Sequence, residues 1–170
     1  MKHILTGYFN LPKILEITLC NGYDPVAGET LGLPLGKAED FKSYEELFQA
    51  YKKQILYFLD IKMRGNHVIE GIYARYMPVP FLSVITNDCI VKGKDYNAGG
   101  ARYNTNYLQG VGIGTITDSL AAIKYNVFDK KKFTMSELMQ ALRDDFEGHG
   151  RIRNLVSNKT PKYGNDDDYA

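Results

Sequence analysis

Apolar side chains in the middle of the chain recur at steps of three and four residues, the spacing of one face of an α-helix. They are Tyr44, Leu47, Phe48, Tyr51, Ile55, Phe58 and Leu59. Just before them, Ser43 and Glu46 form a capping-box pattern, in which the hydroxyl accepts the Glu46 N–H and the carboxylate accepts the Ser43 N–H. The pattern predicts a helix from Ser43 to about residue 76, which could kink near Gly65.

Residues that start and stop helices predict one helix before this one and one after it. The first covers residues 12–19, begins with Pro12 and is ended by Asn21-Gly22. The second begins at Pro80, covers FLSVITNDCIVK and is followed by Gly93.

Two more helices are expected in the C-terminal half. Thr117 and Asp118 form the expected cap of the helix SLAAIKYNVF. Thr134 and Glu137 form a second capping box. The apolar face that follows it consists of Met135, Leu138, Met139, Leu142 and Phe146.

Strand signals are weaker. Residues 103–114, YNTNYLQGVGIG, are the best strand candidate, and residues 22–41 hold four glycines and two prolines, which predicts a long surface loop. The tail from residue 150 has little periodicity. Because one strand cannot make a sheet, either short strands are hidden in the sequence or the chain is part of something larger.

The composition is that of a water-soluble globular domain and narrows the function little. The chain has 170 residues, 44% hydrophobic and 24% charged, with a formal net charge of +1. This balance gives no indication of nucleic acid or membrane as a partner. The apolar run near the N-terminus is interrupted by Asn10, Pro12, Lys13 and Glu16, so no secretory leader is predicted and a cytoplasmic location is expected.

No local motif assigns a reaction. Gly110, Gly112 and Gly114 are spaced G-x-G-x-G, which fits neither a dinucleotide fingerprint nor a phosphate loop and favours close backbone packing. The three histidines are scattered, and the consecutive acids at 166–168 lack the alternation of a calcium loop, so no metal site is predicted. Cys20 and Cys89 are expected to be reduced, mostly buried thiols, with a disulfide or a catalytic thiol as alternatives.

Long ordered strings give a more specific indication. LTGYFNLPKILEITLCNGYDPVAGETLG, KGKDYNAGGARYN, GVGIGTITDSLAAIKYNVF and PKYGNDDDYA resemble the pyruvate formate-lyase domain of the glycyl radical enzymes, and the resemblance runs through essentially the whole chain. Within that family, GYFNLPKILEITL and NGYDP are most similar to the trans-4-hydroxyproline dehydratase-like branch. The resemblance implies an α/β fold, here a helix-rich part of a ten-stranded α/β barrel.

The resemblance also implies a chemistry. In this family a cysteine loop and a glycine loop meet inside the barrel. The glycine stores a radical that an iron–sulfur, S-adenosylmethionine-dependent activating enzyme installs. The cysteine then forms a thiyl radical that removes a hydrogen atom from a small substrate, and elimination or C–C cleavage follows. The barrel keeps water and oxygen away from the intermediates.

The strings place this chain between the two loops. The family's G-C-V-E cysteine motif lies upstream of GYFN and its R-V-x-G-Y glycyl motif downstream of NDDD, and neither is present. We therefore expect residues 1–170 to be a partial pyruvate formate-lyase domain, an internal fragment with no catalytic residue of its own and no turnover alone, which leaves open whether the chain is itself an enzyme. A formate acetyltransferase-type parent, and a non-catalytic half that completes its barrel with a partner polypeptide or as a homodimer, are the alternatives. Exposed apolar surface is expected where the missing strands would pack.

One functional position of the family falls on this chain. The tyrosine of GYFN, here Tyr8, faces the substrate cavity in the hydroxyproline-type enzymes, and its phenol could bind a substrate hydroxyl or carboxylate. The alternative is a buried tyrosine with a backbone partner.

Overall fold

The computed structural model describes the backbone of residues 2–170 and the side chains of residues 7–170. The chain divides into two compact units. The first unit comprises the N-terminal residues up to Phe9 together with Phe58–Gly110, and the second unit comprises Asn10–Tyr57 and Val111–Ala170.

Helices dominate both units. The strands are β1 (Lys2–Asn10), β2 (Tyr23–Asp24), β3 (Glu29–Thr30) and β4 (Asn104–Val111). The α-helices are α1 (Leu11–Leu19), α2 (Tyr44–Tyr76), α3 (Pro80–Ile85), α4 (Cys89–Lys92), α5 (Ile113–Ile123), α6 (Met135–Arg143) and α7 (Gly150–Asn158). Short 3₁₀ turns cover Ala38–Asp40 and Tyr96–Ala98, and a π-helix covers Lys124–Asp129.

The predicted strand at residues 103–114 is confirmed as β4, and the sequence missed its partner. β1 and β4 form a two-stranded sheet. β1 lies about ninety residues earlier in the chain, so no local pattern connects it to β4. The long loop predicted at residues 22–41 also contains a small hairpin, in which Tyr23 pairs with Thr30 and Asp24 with Glu29.

The second unit has a conventional apolar core. α1 packs against α5, and α6 packs against α7 and against the turn at Ala38–Asp40. The buried apolar side chains of this unit include Ile14, Leu15, Leu47, Tyr51, Ile116, Ile123, Phe133, Leu138 and Met139. This unit accordingly buries its own apolar surface, which is the main source of stability for a folded domain.

The long predicted helix is confirmed as α2, which runs from Tyr44 to Tyr76 without interruption at Gly65. Its cap differs from the prediction in one bond. The Ser43 hydroxyl accepts the Glu46 N–H at 3.2 Å as expected, but the Glu46 carboxylate accepts the N–H of Lys42 at 2.7 Å. Among the residues that the structure describes, no helix is long and apolar enough to cross a lipid bilayer.

The single helix predicted from Pro80 to Lys92 is wrong, because the chain forms two short helices there. α3 ends at Ile85, and Asp88 adopts a left-handed conformation with φ 77° before α4 begins. Arg102 donates to both carboxylate oxygens of Asp88, at 2.9 and 3.0 Å, and so holds this break. Gly93 follows α4 in the left-handed region, as predicted.

The cap predicted at Thr117 and Asp118 is also wrong. α5 begins at Ile113, four residues earlier, and both residues lie inside it. Asp118 instead accepts the N–H of Tyr163 at 2.8 Å. The end of the predicted helix SLAAIKYNVF continues as the π-helix, where the Lys130 N–H bonds to the Tyr125 carbonyl.

The capping box at Thr134 and Glu137 is confirmed. The Glu137 N–H donates to the Thr134 hydroxyl at 3.2 Å, and the Glu137 carboxylate accepts the Thr134 N–H at 2.6 Å. The helix is shorter than predicted, because it ends at Arg143 and Phe146 lies beyond it with φ 60°. The tail, in which no helix was predicted, contains α7.

Candidate functional site

Tyr8, the one predicted substrate-binding residue, lies on β1 with 66% of its side chain exposed. Its binding of a substrate stays a prediction. Its neighbour Gly7 has φ +121°, and a Cβ built there would stand 3.0 Å from the Lys62 ammonium on α2. Gly7 and Tyr8 are successive positions of β1, and successive side chains of a strand are expected on opposite faces.

A carboxylate organises the segment that leads into β4. Asp95 accepts hydrogen bonds from the Ser83 hydroxyl at 2.7 Å, from the Val79 N–H at 2.9 Å and from the Asn97 N–H at 2.8 Å. Burial raises the pKa of Asp95, but the hydrogen bonds from Ser83 and the backbone outweigh it and hold the pKa below its usual value. The ionised carboxylate thus ties α3 to the turn at Tyr96–Ala98.

Two glycines of this region, Gly100 and Gly112, serve close packing, as predicted for Gly112. A Cβ at Gly100 would collide with the Lys94 carbonyl oxygen, and a Cβ at Gly112 would stand 2.6 Å from the Pro12 ring. The Gly112 contact lets the start of α5 approach the start of α1. These contacts are to protein atoms, so the glycines have a packing role that needs no bound phosphate.

Both cysteines are free thiols. Cys89 is buried with 2% exposure at the first position of α4, rather than in mid-helix as predicted. Cys20 is half-buried, and desolvation together with the nearby Glu16 carboxylate raises the pKa of its thiol. The environment of Cys20 therefore disfavours its thiolate.

The acidic tail is held in place by contacts within the second unit. The Tyr169 hydroxyl donates to Asp129 at 2.7 Å, and the Lys124 ammonium lies 4.5 Å from the centre of the Tyr169 ring. The Asp167 carboxylate accepts the Tyr169 N–H at 2.9 Å, a local turn contact. Among the described residues, no group of three or more His, Cys, Asp or Glu side chains could hold a metal ion.

The Asp144 carboxylate lies at the C-terminal end of α6 and has two side-chain partners. Gln140 donates to it at 2.8 Å, and His149 lies 2.9 Å from it. These contacts hold the pKa of Asp144 below its usual value. Arg151, on α7, donates to the Lys132 carbonyl at 3.0 Å.

Known proteins resemble this chain along its whole length. A family model described as pyruvate formate lyase-like matches residues 1–170. The chain is 66% identical over 168 residues to trans-4-hydroxy-L-proline dehydratase of Clostridioides difficile, and this match covers 99% of the chain and 21% of that protein. It is 38% identical to (2S)-3-sulfopropanediol dehydratase of Klebsiella oxytoca, over 96% of this chain and 20% of that protein.

Solved structures give the same result for the fold. The crystal structure of the Clostridioides difficile hydroxyproline dehydratase, with trans-4-hydroxy-L-proline bound, matches with a TM-score of 0.96 over 98% of this chain and 21% of that chain. The B12-independent glycerol dehydratase of Clostridium butyricum, 41% identical, matches with a TM-score of 0.90 over 95% of this chain and 20% of that chain. The fold is therefore a mixed helix and strand segment of the glycyl radical enzyme barrel, and the chain spans about a fifth of the length of these relatives. The chain belongs to the pyruvate formate lyase-like family of glycyl radical enzymes.

Proposed function

We propose that this chain forms part of the barrel wall of a glycyl radical dehydratase, with trans-4-hydroxy-L-proline as the first candidate substrate. The observation that carries the proposal is the 66% identity over 168 residues to a dehydratase of that substrate, with a TM-score of 0.96 to its structure. The sulfopropanediol and glycerol enzymes are dehydratases of hydroxylated three-carbon compounds, which supports the same class of reaction at lower identity.

In this proposal, residues 1–170 lie between the cysteine loop and the glycyl loop of the complete enzyme, and other parts of that enzyme carry both radical residues. The glycyl radical, installed by an iron–sulfur, S-adenosylmethionine-dependent activating enzyme, would supply the one-electron chemistry that starts the reaction. The burial of Cys89 and the raised pKa of Cys20 support a structural role for both thiols of this chain.

Tyr8 would bind the substrate. Its exposed phenol can donate a hydrogen bond to the substrate hydroxyl, whose C–O bond breaks as water leaves, or to the carboxylate. A donor held against the leaving oxygen stabilises the negative charge that develops there. The ribbon of β1 and β4 would fix the direction of that donor.

The test uses the complete open reading frame that contains this segment, purified without oxygen together with its activating enzyme. We expect a glycyl radical signal in electron paramagnetic resonance and dehydration of trans-4-hydroxy-L-proline. Tyr8→Phe should lower kcat/KM by about tenfold, the value of one hydrogen bond of about 1.4 kcal/mol, with an unchanged radical signal.

Loss of water from glycerol or a sulfonated diol but not from hydroxyproline would contradict the proposed substrate. Cleavage of pyruvate with coenzyme A would indicate the formate acetyltransferase alternative.

The exposed apolar side chains of the first unit favour a second possibility, in which the remainder of the barrel comes from another polypeptide or from a second copy. The 170-residue chain alone should show no radical signal with the activating enzyme. Co-purification with a separate polypeptide carrying G-C-V-E would support the two-chain form. A single polypeptide containing both motifs and this segment would exclude it.

A further inference from the structure

The ribbon of β1 and β4 has one face closed by protein and one face open. Gly7 marks the closed face of β1, because the Lys62 ammonium of α2 occupies the space next to its Cα. Tyr8 is on the opposite, open face. A glycine at position 7 also suits the positive φ of +121°, which a residue with a Cβ adopts only with strain.

Exposure alternates along β4 in the same way. Asn106 and Leu108 are half-buried, and the Asn106 side-chain oxygen is shielded from solvent, whereas Thr105, Tyr107 and Gln109 are exposed. Tyr8, on the paired strand β1, is exposed as well. The exposed positions of the two strands thus include two phenols, a primary amide and a hydroxyl, with no charged side chain among these four.

We propose that Tyr107 and Gln109 bind the same substrate as Tyr8, and that the open face of the ribbon lines the substrate cavity of the complete enzyme. The proposal rests on the proposed function, in which Tyr8 faces the substrate. It adds two specificity-determining residues on β4, about 6.8 Å apart at their Cα atoms, as expected for strand positions two residues apart.

The chemistry of this face suits a small molecule with several polar groups. The Gln109 amide offers two donors and an acceptor, and the Tyr107 phenol one of each, so together they can bind a carboxylate, an ammonium group or a hydroxyl. Neutral donors bind a carboxylate without placing a second full charge in the cavity. A cyclic amino acid with a hydroxyl, such as hydroxyproline, presents all three groups within one small ring.

The experiment uses the complete enzyme with its activating enzyme and compares three variants of β4. Gln109→Leu and Tyr107→Phe remove the polar groups at nearly constant volume. Asn106→Leu is the matched control, since it makes the same amide-to-leucine change on the closed face of the same strand. Radical content, KM, kcat and the thermal midpoint are measured for each variant.

We expect Gln109→Leu and Tyr107→Phe each to raise the KM for the substrate by about three- to tenfold, with kcat, radical content and thermal midpoint close to those of the parent. Asn106→Leu should leave KM unchanged. Unchanged KM in both open-face variants of an active enzyme would overturn the proposal. A fall in thermal midpoint without a change in KM would also overturn it, because the face would then pack against protein. If the unmodified enzyme does not dehydrate hydroxyproline at all, the proposed substrate fails, which is a separate and distinguishable result.

Discussion

The two units of the chain differ in how far their apolar side chains are buried. The second unit buries leucines, isoleucines and methionines of α1, α2, α5 and α6 in a common core. In the first unit, the buried apolar residues among those described are Cys89 and Ala101. Its large apolar side chains are exposed instead, with Phe81 80% and Val91 89% accessible. The expected exposed apolar surface is therefore present, and it is concentrated in one unit.

The first unit is ordered mainly by polar contacts. Asp95 binds the turn that follows it and the start of α3, and the Arg102–Asp88 pair holds the break between α3 and α4. Such contacts specify a backbone path but bury little apolar area. The apolar faces of the first unit are thus the surface that the rest of the barrel would cover in the proposed complete enzyme.

The largest effect should come from deleting a core side chain of the second unit. Leu47 is fully buried, so Leu47→Ala should lower the free energy of unfolding of the 170-residue chain by about 2–5 kcal/mol. Leu56→Ala on the same helix α2, at an exposed position, is the matched control and should cost less than about 0.5 kcal/mol. Urea unfolding followed by circular dichroism measures both.

The same measurement on Phe81→Ala tests the exposed apolar surface of the first unit. In this chain, the change should cost less than about 0.5 kcal/mol, because the ring is exposed. In the complete enzyme, where the rest of the barrel would cover it, the cost should rise to about 3–5 kcal/mol. Equal costs in the two proteins would contradict the idea that this face becomes covered.

A smaller loss is expected where the second unit buries an amide. Asn126 is fully buried in the π-helix, and its Nδ2 donates to Thr160 Oγ1 at 2.8 Å and to the Ala122 carbonyl at 3.0 Å. Thr160→Val should lower the free energy of unfolding by about 1–3 kcal/mol, because it leaves a buried donor without that acceptor. Thr160→Ser retains the hydroxyl and should cost clearly less; an unchanged free energy of unfolding in Thr160→Val would show that the hydrogen bond does not contribute.

The capping box of α6 should contribute about 1 kcal/mol. Thr134→Ala removes the hydroxyl that accepts the Glu137 N–H, while Thr134→Ser preserves it. The capping contacts also hold the pKa of Glu137 below its usual value, so the stability they give is present above the unfolded pKa and is lost as pH falls through the folded value. The difference between the two variants, measured by thermal unfolding, should therefore shrink below about pH 4; a difference independent of pH would exclude this linkage.

The smallest effect is expected in alkaline solution. Burial raises the pKa of Tyr51 to about 12, and its hydroxyl donates to the Leu11 carbonyl at 3.2 Å. The stability from the neutral phenol is complete below the unfolded pKa of about 10 and is lost as pH rises through the folded value, with about 0.4 kcal/mol gone by pH 10. Unfolding of the wild-type and Tyr51→Phe chains between pH 8 and 11 tests this prediction, since the variant should lack this part of the decline.

Elements with local causes could be predicted from the sequence. The stripe of α2 and the Thr134–Glu137 box of α6 depend on residues within one or two helical turns, and both helices are present. The failures have distant causes. Asp118 is inside α5 because its partner is the Tyr163 N–H, 45 residues away, and Asp88 breaks a helix with help from Arg102, 14 residues away.

The same distinction between local and distant causes applies to the candidate site. Tyr8 could be proposed only through the family resemblance, because an exposed tyrosine on a strand has no distinctive spacing. The alternation of exposed Thr105, Tyr107 and Gln109 with half-buried Asn106 and Leu108 could not be predicted from the sequence, because Asn106 is as polar as its neighbours. The face of the ribbon on which these residues lie depends on the pairing of β4 with β1, which no local pattern in the sequence shows.

The distance along the chain between β1 and β4 also affects how the protein is made. β1 ends at Asn10 and its partner begins at Asn104, so a ribosome adding 5–20 residues per second needs roughly 5–20 s to supply the second strand. Throughout that interval β1 cannot pair with β4, while α1 and the early turns of α2 can form from local contacts within microseconds. An unpaired strand edge is a site of aggregation. Synthesis of this segment should therefore pass through a stage in which a chaperone that shields nascent strands improves the yield.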